Sequence, residues 1–182
     1  MSFPVKMLAA AAGQQRLDFL IIGGHAVNSY APPRATLDVD LLVRKADRTA
    51  WCELAAKEGY RLLHDGGAFL QFSPPYGVDF RLDLMLVNET TFDQLAESAR
   101  EVACLGIQAR IPSPLNLIAL KVHALRHGPA TRQAKDWLDI DSLIRTACLN
   151  PRGPELKAVF DRHGSAALYT ELVARFRDTP PA

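Results

Sequence analysis

Asp38 and Asp40 stand two residues apart in TLDVDLLV, residues 36–43, a run otherwise apolar enough to be a buried strand. A strand turns successive side chains to opposite faces, so Thr36, Asp38, Asp40 and Leu42 share one face and Leu37, Val39, Leu41 and Val43 the other. The two carboxylates are then about 6 to 7 Å apart along the strand. Two like charges on a strand backed by hydrophobes are costly unless they are solvated, paired or bound to a cation. Two hard oxygen donors at this spacing suit Mg²⁺ or Mn²⁺ better than zinc. Taken alone, a bare D-x-D is more often the mark of an edge strand whose polar face meets water.

The surrounding residues shift that balance. Gly23 and Gly24 follow the apolar run LDFLII at a strand-to-helix turn. Backbone N–H groups at such a turn can approach phosphate oxygens. A third carboxylate, Asp83, lies in VDFRLDLMLV, residues 78–87. Asp79 is its rival, because Asp79, Arg81 and Asp83 alternate onto one strand face, where Asp79 can pair with Arg81 or reach the site. Asp83 is preferred because it lies deeper in the apolar run. Three carboxylates that hold metal, with a phosphate cradle, are the equipment for an in-line phosphoryl or nucleotidyl displacement.

The elements that must position these groups follow from periodicity. Residues 4–16 are alanine-rich and favour a helix, and Leu17–Ile22 is too short for one and reads as a strand. HAVNSYA forms a short helix, and Pro32-Pro33 forces an extended loop before the D-x-D strand. Residues 46–59 have helical spacing and end at a glycine. YRLLH, AFLQFS and VDFRLDLMLV follow as three strands joined by hairpin-like turns. Residues 89–101 read as a helix and CLGIQARI as one more strand. From Ser113 the texture changes to long amphipathic helices, SPLNLIALKVHALRH and TRQAKDWLDIDSLIRTACL, then weaker ones over 153–177 and a frayed tail, DTPPA. The expected fold is α/β (α+β): a mixed-sheet core over residues 1–112 and a C-terminal helical part over 113–182 packed on it.

Composition narrows the class further. The 182 residues, 48% hydrophobic, suffice for one good-sized core. The 21 basic and 20 acidic residues nearly cancel, so the chain as a whole has no attraction for nucleic acid or an anionic membrane. Cys52, Cys104 and Cys148 are widely spaced and odd in number, which argues against a disulfide framework or a structural zinc site and for a reducing cytoplasm. VKMLAAAAGQQ echoes a leader segment, but its weakly hydrophobic alanines and the polar patch after them favour a helix of the fold. No run approaches the ~20 apolar residues of a membrane span, so a soluble, cytoplasmic protein is expected.

Gly23-Gly24 followed by R-x-T-x-D-x-D at 34–40 resembles the signature of the DNA polymerase beta-type nucleotidyltransferase superfamily, in the bacterial branch that includes AbiEii-like toxins. The later LIALKVHALRHGPATRQAKDWLDIDSLI is similar to the helical part of that branch, where a lysine in one helix and a K-D-x-x-D segment in the next recur. The resemblance runs from Leu17 to about Ile144. It implies that Asp38, Asp40 and Asp83 hold Mg²⁺ or Mn²⁺, with Asp83 also helping to deprotonate an acceptor hydroxyl. It implies that Gly23, Gly24, Arg34, Thr36 and Lys121 contact a nucleoside triphosphate, with Arg34 either on phosphate or paired with a carboxylate. One departure is plain: many members have Gly-Ser where this chain has Gly23-Gly24, which removes a hydroxyl that could bind phosphate.

The implied activity is transfer of a nucleoside monophosphate to a hydroxyl, on a tRNA 3′ end or a protein, with a cognate antitoxin as partner. An aminoglycoside or lincosamide acceptor is the alternative. A non-catalytic nucleotide-sensing or interaction module is a third reading, opposed by three carboxylates whose repulsion it has no reason to tolerate.

Other polar residues carry blander readings. His25 reads as structural, and His123 and His127, four apart on a helix, lack the glutamate of the zinc-protease arrangement. Lys121 sits on a helix apolar almost all round, so its ammonium is expected to emerge into a cleft. Asp136 and Asp139 read as an ion-pair network, with Lys135, that buttresses that helix.

Overall fold

A computed structural model describes residues 4–177; the DTPPA tail lies outside the described residues. The chain forms two compact units, one from the residues up to Ser29 with Arg34–Ser113, the other from Tyr30–Pro33 with Pro114 onward.

The first unit holds α1 (Pro4–Gln14), β1 (Phe19–Ile21), α2 (Gly23–Asn28), β2 (Asp38–Arg44), α3 (Arg48–Lys57), β3 (Arg61–Asp65), β4 (Phe69–Ser73), β5 (Arg81–Val87), α4 (Glu89–Glu97), β6 (Arg100–Cys104) and β7 (Ile107–Ile111). The five-stranded mixed sheet runs β1-β2-β5-β4-β3, with β2 and β5 parallel and the other neighbours antiparallel. Period-2 alternation does the sorting. Val39, Leu41 and Val43 of β2, Leu82, Leu84 and Leu86 of β5, and Leu70 and Phe72 of β4 are buried on one face. Asp38, Asp40, Arg81, Asp83 and Gln71 lie on the other, as the register pairs them. The segment VKMLAAAAGQQ, save its last glutamine, is part of α1, whose Val5, Leu8 and Ala12 are buried.

Several elements differ from the sequence reading. α2 begins at Gly23 itself, because left-handed backbone there (φ 63°) turns the chain from the strand straight into the helix. The helix expected over 89–101 stops at Glu97, and Arg100–Cys104 becomes a strand paired antiparallel with β7. The turn between them is Leu105-Gly106, both at positive φ (54° and 77°), the tight hairpin geometry that matches strand twist. CLGIQARI is therefore a hairpin, not one strand.

The second unit holds α5 (Pro114–His127), α6 (Gln133–Thr146), α7 (Pro154–His163) and α8 (Ala166–Arg175). Its buried residues include Val122, Leu125, Trp137, Ile140, Leu143 and Phe160, with Trp137 stacked on Phe160 at 6.2 Å. No helix among the described residues is long and apolar enough to cross a membrane, and the three cysteines are free.

Candidate active site

The parallel pairing of β2 with β5 assembles the carboxylates. Its register sets Asp38 beside Arg81 and Asp40 beside Asp83, all four on the same sheet face. Asp83 is 5% exposed, and its Oδ2 lies 3.4 Å from Gln71 Nε2, from the next strand. Asp79 falls in the exposed loop before β5, so the strand face that meets Asp40 carries Asp83.

β1 ends in the same place. The Ile22 N–H donates to the Asp40 carbonyl at 2.9 Å, and the chain then turns at Gly23 directly over the Asp40 side chain. A Cβ on Gly23 would lie 2.5 Å from Asp40 Cγ and 2.9 Å from its Cβ. Gly23 is thus required twice, by its backbone angle and by the carboxylate that fills the space a side chain would take. Gly23→Ala is expected to destabilise the fold by about 1–3 kcal/mol and to push Asp40 off its position. Urea denaturation and Mn²⁺ titration check the two parts, and a variant with unchanged stability and unchanged Mn²⁺ affinity would contradict the close packing.

Gly24 is also closely enclosed. A Cβ there would meet Thr36 Oγ1 at 2.7 Å, Thr36 Cβ at 3.0 Å and Arg34 Nη1 at 3.2 Å. A serine at this position has no room unless Thr36 moves, a physical reason for this chain to carry glycine there. The loop carrying Arg34 and Thr36 is tied back to α2 by Asn28, whose Nδ2 donates to the Arg34 carbonyl (2.8 Å) and whose Oδ1 accepts from the Arg34 N–H (3.1 Å). Gly23, Gly24, Arg34, Thr36, Asp38, Asp40 and Asp83 therefore lie together in the first unit. His25, on α2, has its imidazolium form disfavoured first by burial and then by Arg34, with Asp38 opposing.

Lys121 belongs to the helical unit, and its surroundings differ from the expected cleft. It is 8% exposed, and its Nζ lies 2.8 Å from both Asp136 and Asp139, themselves buried. The apolar girth of α5 is the reason: a lysine on such a helix must meet carboxylates from the helix packed against it. The recurring lysine and the K-D-x-x-D segment are thus two halves of one ion cluster, whereas Lys135 is exposed.

Sequence reasoning passed over Arg81 and Gln71. The alternation places Arg81 on this strand face but offers it Asp79 as a partner; its Nε donates instead to Asp38 Oδ1 at 2.9 Å. Gln71 carried no signal, since only the β4–β5 register sets it beside Asp83.

Among the described residues no three His, Cys, Asp or Glu side chains form a ready metal cage. The donor set nonetheless fits Mg²⁺ or Mn²⁺. Mg²⁺ is commonly held by one or two carboxylates together with waters and substrate phosphates, and Asp40 and Asp83 offer hard oxygens side by side next to a glycine turn.

A search of curated proteins finds no match. Among solved structures, ANT(2'')-Ia in complex with adenylyl-2''-tobramycin is similar at 18% identity, over 96% of this chain and 95% of that one, with a TM-score of 0.60. A nucleotidyltransferase-like protein from Paracoccidioides brasiliensis shares 18% identity over 97% and 89% (TM-score 0.57). The lincomycin-bound lincosamide adenylyltransferase LnuA shares 12% over 79% and 96% (TM-score 0.56). At these identities the likeness is one of fold. The AbiEii-like branch is a narrower assignment than any of these matches makes. The family described as "Uncharacterised nucleotidyltransferase" matches residues 11–172, from within α1 to within α8, and the chain belongs to that family.

Proposed function

We propose that the protein moves a nucleoside monophosphate from a nucleoside triphosphate to a hydroxyl acceptor, releasing pyrophosphate, with Asp38, Asp40 and Asp83 as ligands of Mg²⁺ or Mn²⁺. The observation that supports this best is the β2–β5 register, which brings Asp83 alongside Asp40, with Asp38 on the same face and the Gly23-Gly24 turn against Asp40. When bound, the divalent ion neutralises the triphosphate and the charge that develops on the attacking and leaving oxygens. Asp83, buried on the sheet face, takes the proton of the acceptor hydroxyl as its oxygen bonds to the α-phosphorus and the bond to the pyrophosphate oxygen breaks. Gly23 and Gly24 let backbone approach the phosphates, while Arg34 and Thr36 flank the same turn. Lys121 we assign to the buried cluster with Asp136 and Asp139 in preference to phosphate.

The acceptor is a tRNA 3′ end or a protein, as the AbiEii-like resemblance implies, with an antitoxin as partner. Exposed Arg126, Arg132 and Lys135 are compatible with RNA. A small antibiotic is the second reading, favoured by similarity to an enzyme bound to adenylyl-2''-tobramycin along nearly its whole length. Membership of a nucleotidyltransferase family speaks against the non-catalytic module.

The test is label transfer from each α-labelled nucleoside triphosphate with Mg²⁺, in separate arms holding total tRNA, lysate protein, tobramycin or lincomycin. Label is expected in one arm and is expected to vanish with Asp38→Ala. Transfer that survives Asp38→Ala undiminished would sink the mechanism, and the arm that takes label decides the acceptor.

A further inference from the structure

We propose that Arg81 is the resident counter-ion of the carboxylate face in the metal-free protein, seated so that it competes with a divalent ion for Asp38 and makes metal binding depend on nucleotide. The inference rests on the metal-dependent reading above. Arg81 is the register partner of Asp38 across the parallel strands, and its Nε donates to Asp38 Oδ1 at 2.9 Å. Three carboxylates on one sheet face repel one another, and a cation among them relieves that repulsion. Arg81 interacts with all three. The hydrogen bond and attraction to Asp38 come first, and the charges of Asp83 and Asp40 add to them; together they hold the guanidinium in its charged form.

The pair is also placed to open. The Arg81 side chain is 56% exposed and that of Asp38 26%, so the contact is solvated on one side. Such a solvated ion pair is weak, with little to hold it against an ion of twice the charge. Once displaced from Asp38, the guanidinium is a planar fork suited to phosphate oxygens. Metal alone must therefore evict Arg81 with no compensation, whereas metal arriving with a triphosphate gives the arginine a new partner. A residue that merely oriented Asp38 would act in the opposite sense, since its removal would loosen a ligand and weaken metal binding.

Calorimetric titration of the full chain with Mn²⁺, without and then with a non-hydrolysable nucleoside triphosphate analogue, separates these outcomes. Arg81→Gln is expected to bind Mn²⁺ alone about fivefold more tightly than the wild type and to lose much of the further gain that the analogue confers. Equal or weaker Mn²⁺ binding by Arg81→Gln overturns the inference. Asp40→Asn tests the reading beneath it. If Asp40→Asn removes Mn²⁺ binding while Arg81→Gln leaves it unchanged, the Arg81 inference alone fails; if Asp40→Asn binds Mn²⁺ like the wild type, the metal site fails and takes the inference with it.

Discussion

Asp83→Asn is expected to slow nucleotidyl transfer by about 10²- to 10⁴-fold, the range of a lost general base, while leaving the fold intact. The side chain is 5% exposed and lies beside Asp40 in the parallel register, so two like charges sit side by side when no divalent ion is present. Asparagine keeps the shape and the polar contact with Gln71 but carries no charge and accepts no proton. Opposite signs are therefore expected in two measurements. Transfer rate falls steeply, and the metal-free unfolding free energy, read by urea denaturation, holds or rises. A variant within tenfold of wild-type activity would remove Asp83 from the chemistry and reopen the case for Asp79. A variant that loses activity because it no longer folds would show itself in the denaturation curve.

Lys121→Met carries the largest expected effect on stability. It takes the ammonium from between Asp136 and Asp139, each 2.8 Å away and at most 2% exposed, and leaves two buried carboxylates facing one another. Breaking a buried pair from one side costs about 3–5 kcal/mol, far more than the net contribution of the intact pair, because the abandoned charge has no water to return to. Thermal and urea denaturation of the single variant should show that loss. The triple variant Lys121→Met, Asp136→Asn, Asp139→Asn should recover much of it, since the two buried like charges are gone. A single variant as stable as the wild type yet slow in transfer would return Lys121 to the triphosphate, as the family resemblance first implied.

Local periodicity carried a large part of the fold. Alternation in TLDVDLLV put Asp38 and Asp40 on one face, glycine after LDFLII marked the turn, and amphipathic spacing after Ser113 marked the helices. These patterns live within a single element, where backbone geometry alone converts residue spacing into direction. The hairpin at Leu105-Gly106 was harder to see, because a leucine at φ 54° contradicts its own preference and is held there by the paired strands on either side.

What the chain decided by itself was the inventory and its handedness: three carboxylates on strand faces, a glycine pair able to turn tightly, a lysine on an apolar helix, and the nucleotidyltransferase likeness in their spacing. Tertiary structure alone decided who meets whom. Asp40 reaches Asp83, and Arg81 reaches Asp38 across 43 residues of chain, because β2 and β5 pair in parallel with their apolar residues buried on the opposite face. Slipping that register by one residue would turn Asp83 into the hydrophobic side, so burial of Leu82, Leu84 and Leu86 is what places the third carboxylate. Lys121 likewise finds Asp136 and Asp139 only when α5 packs on α6, for a buried ammonium must be matched by whatever the neighbouring helix presents.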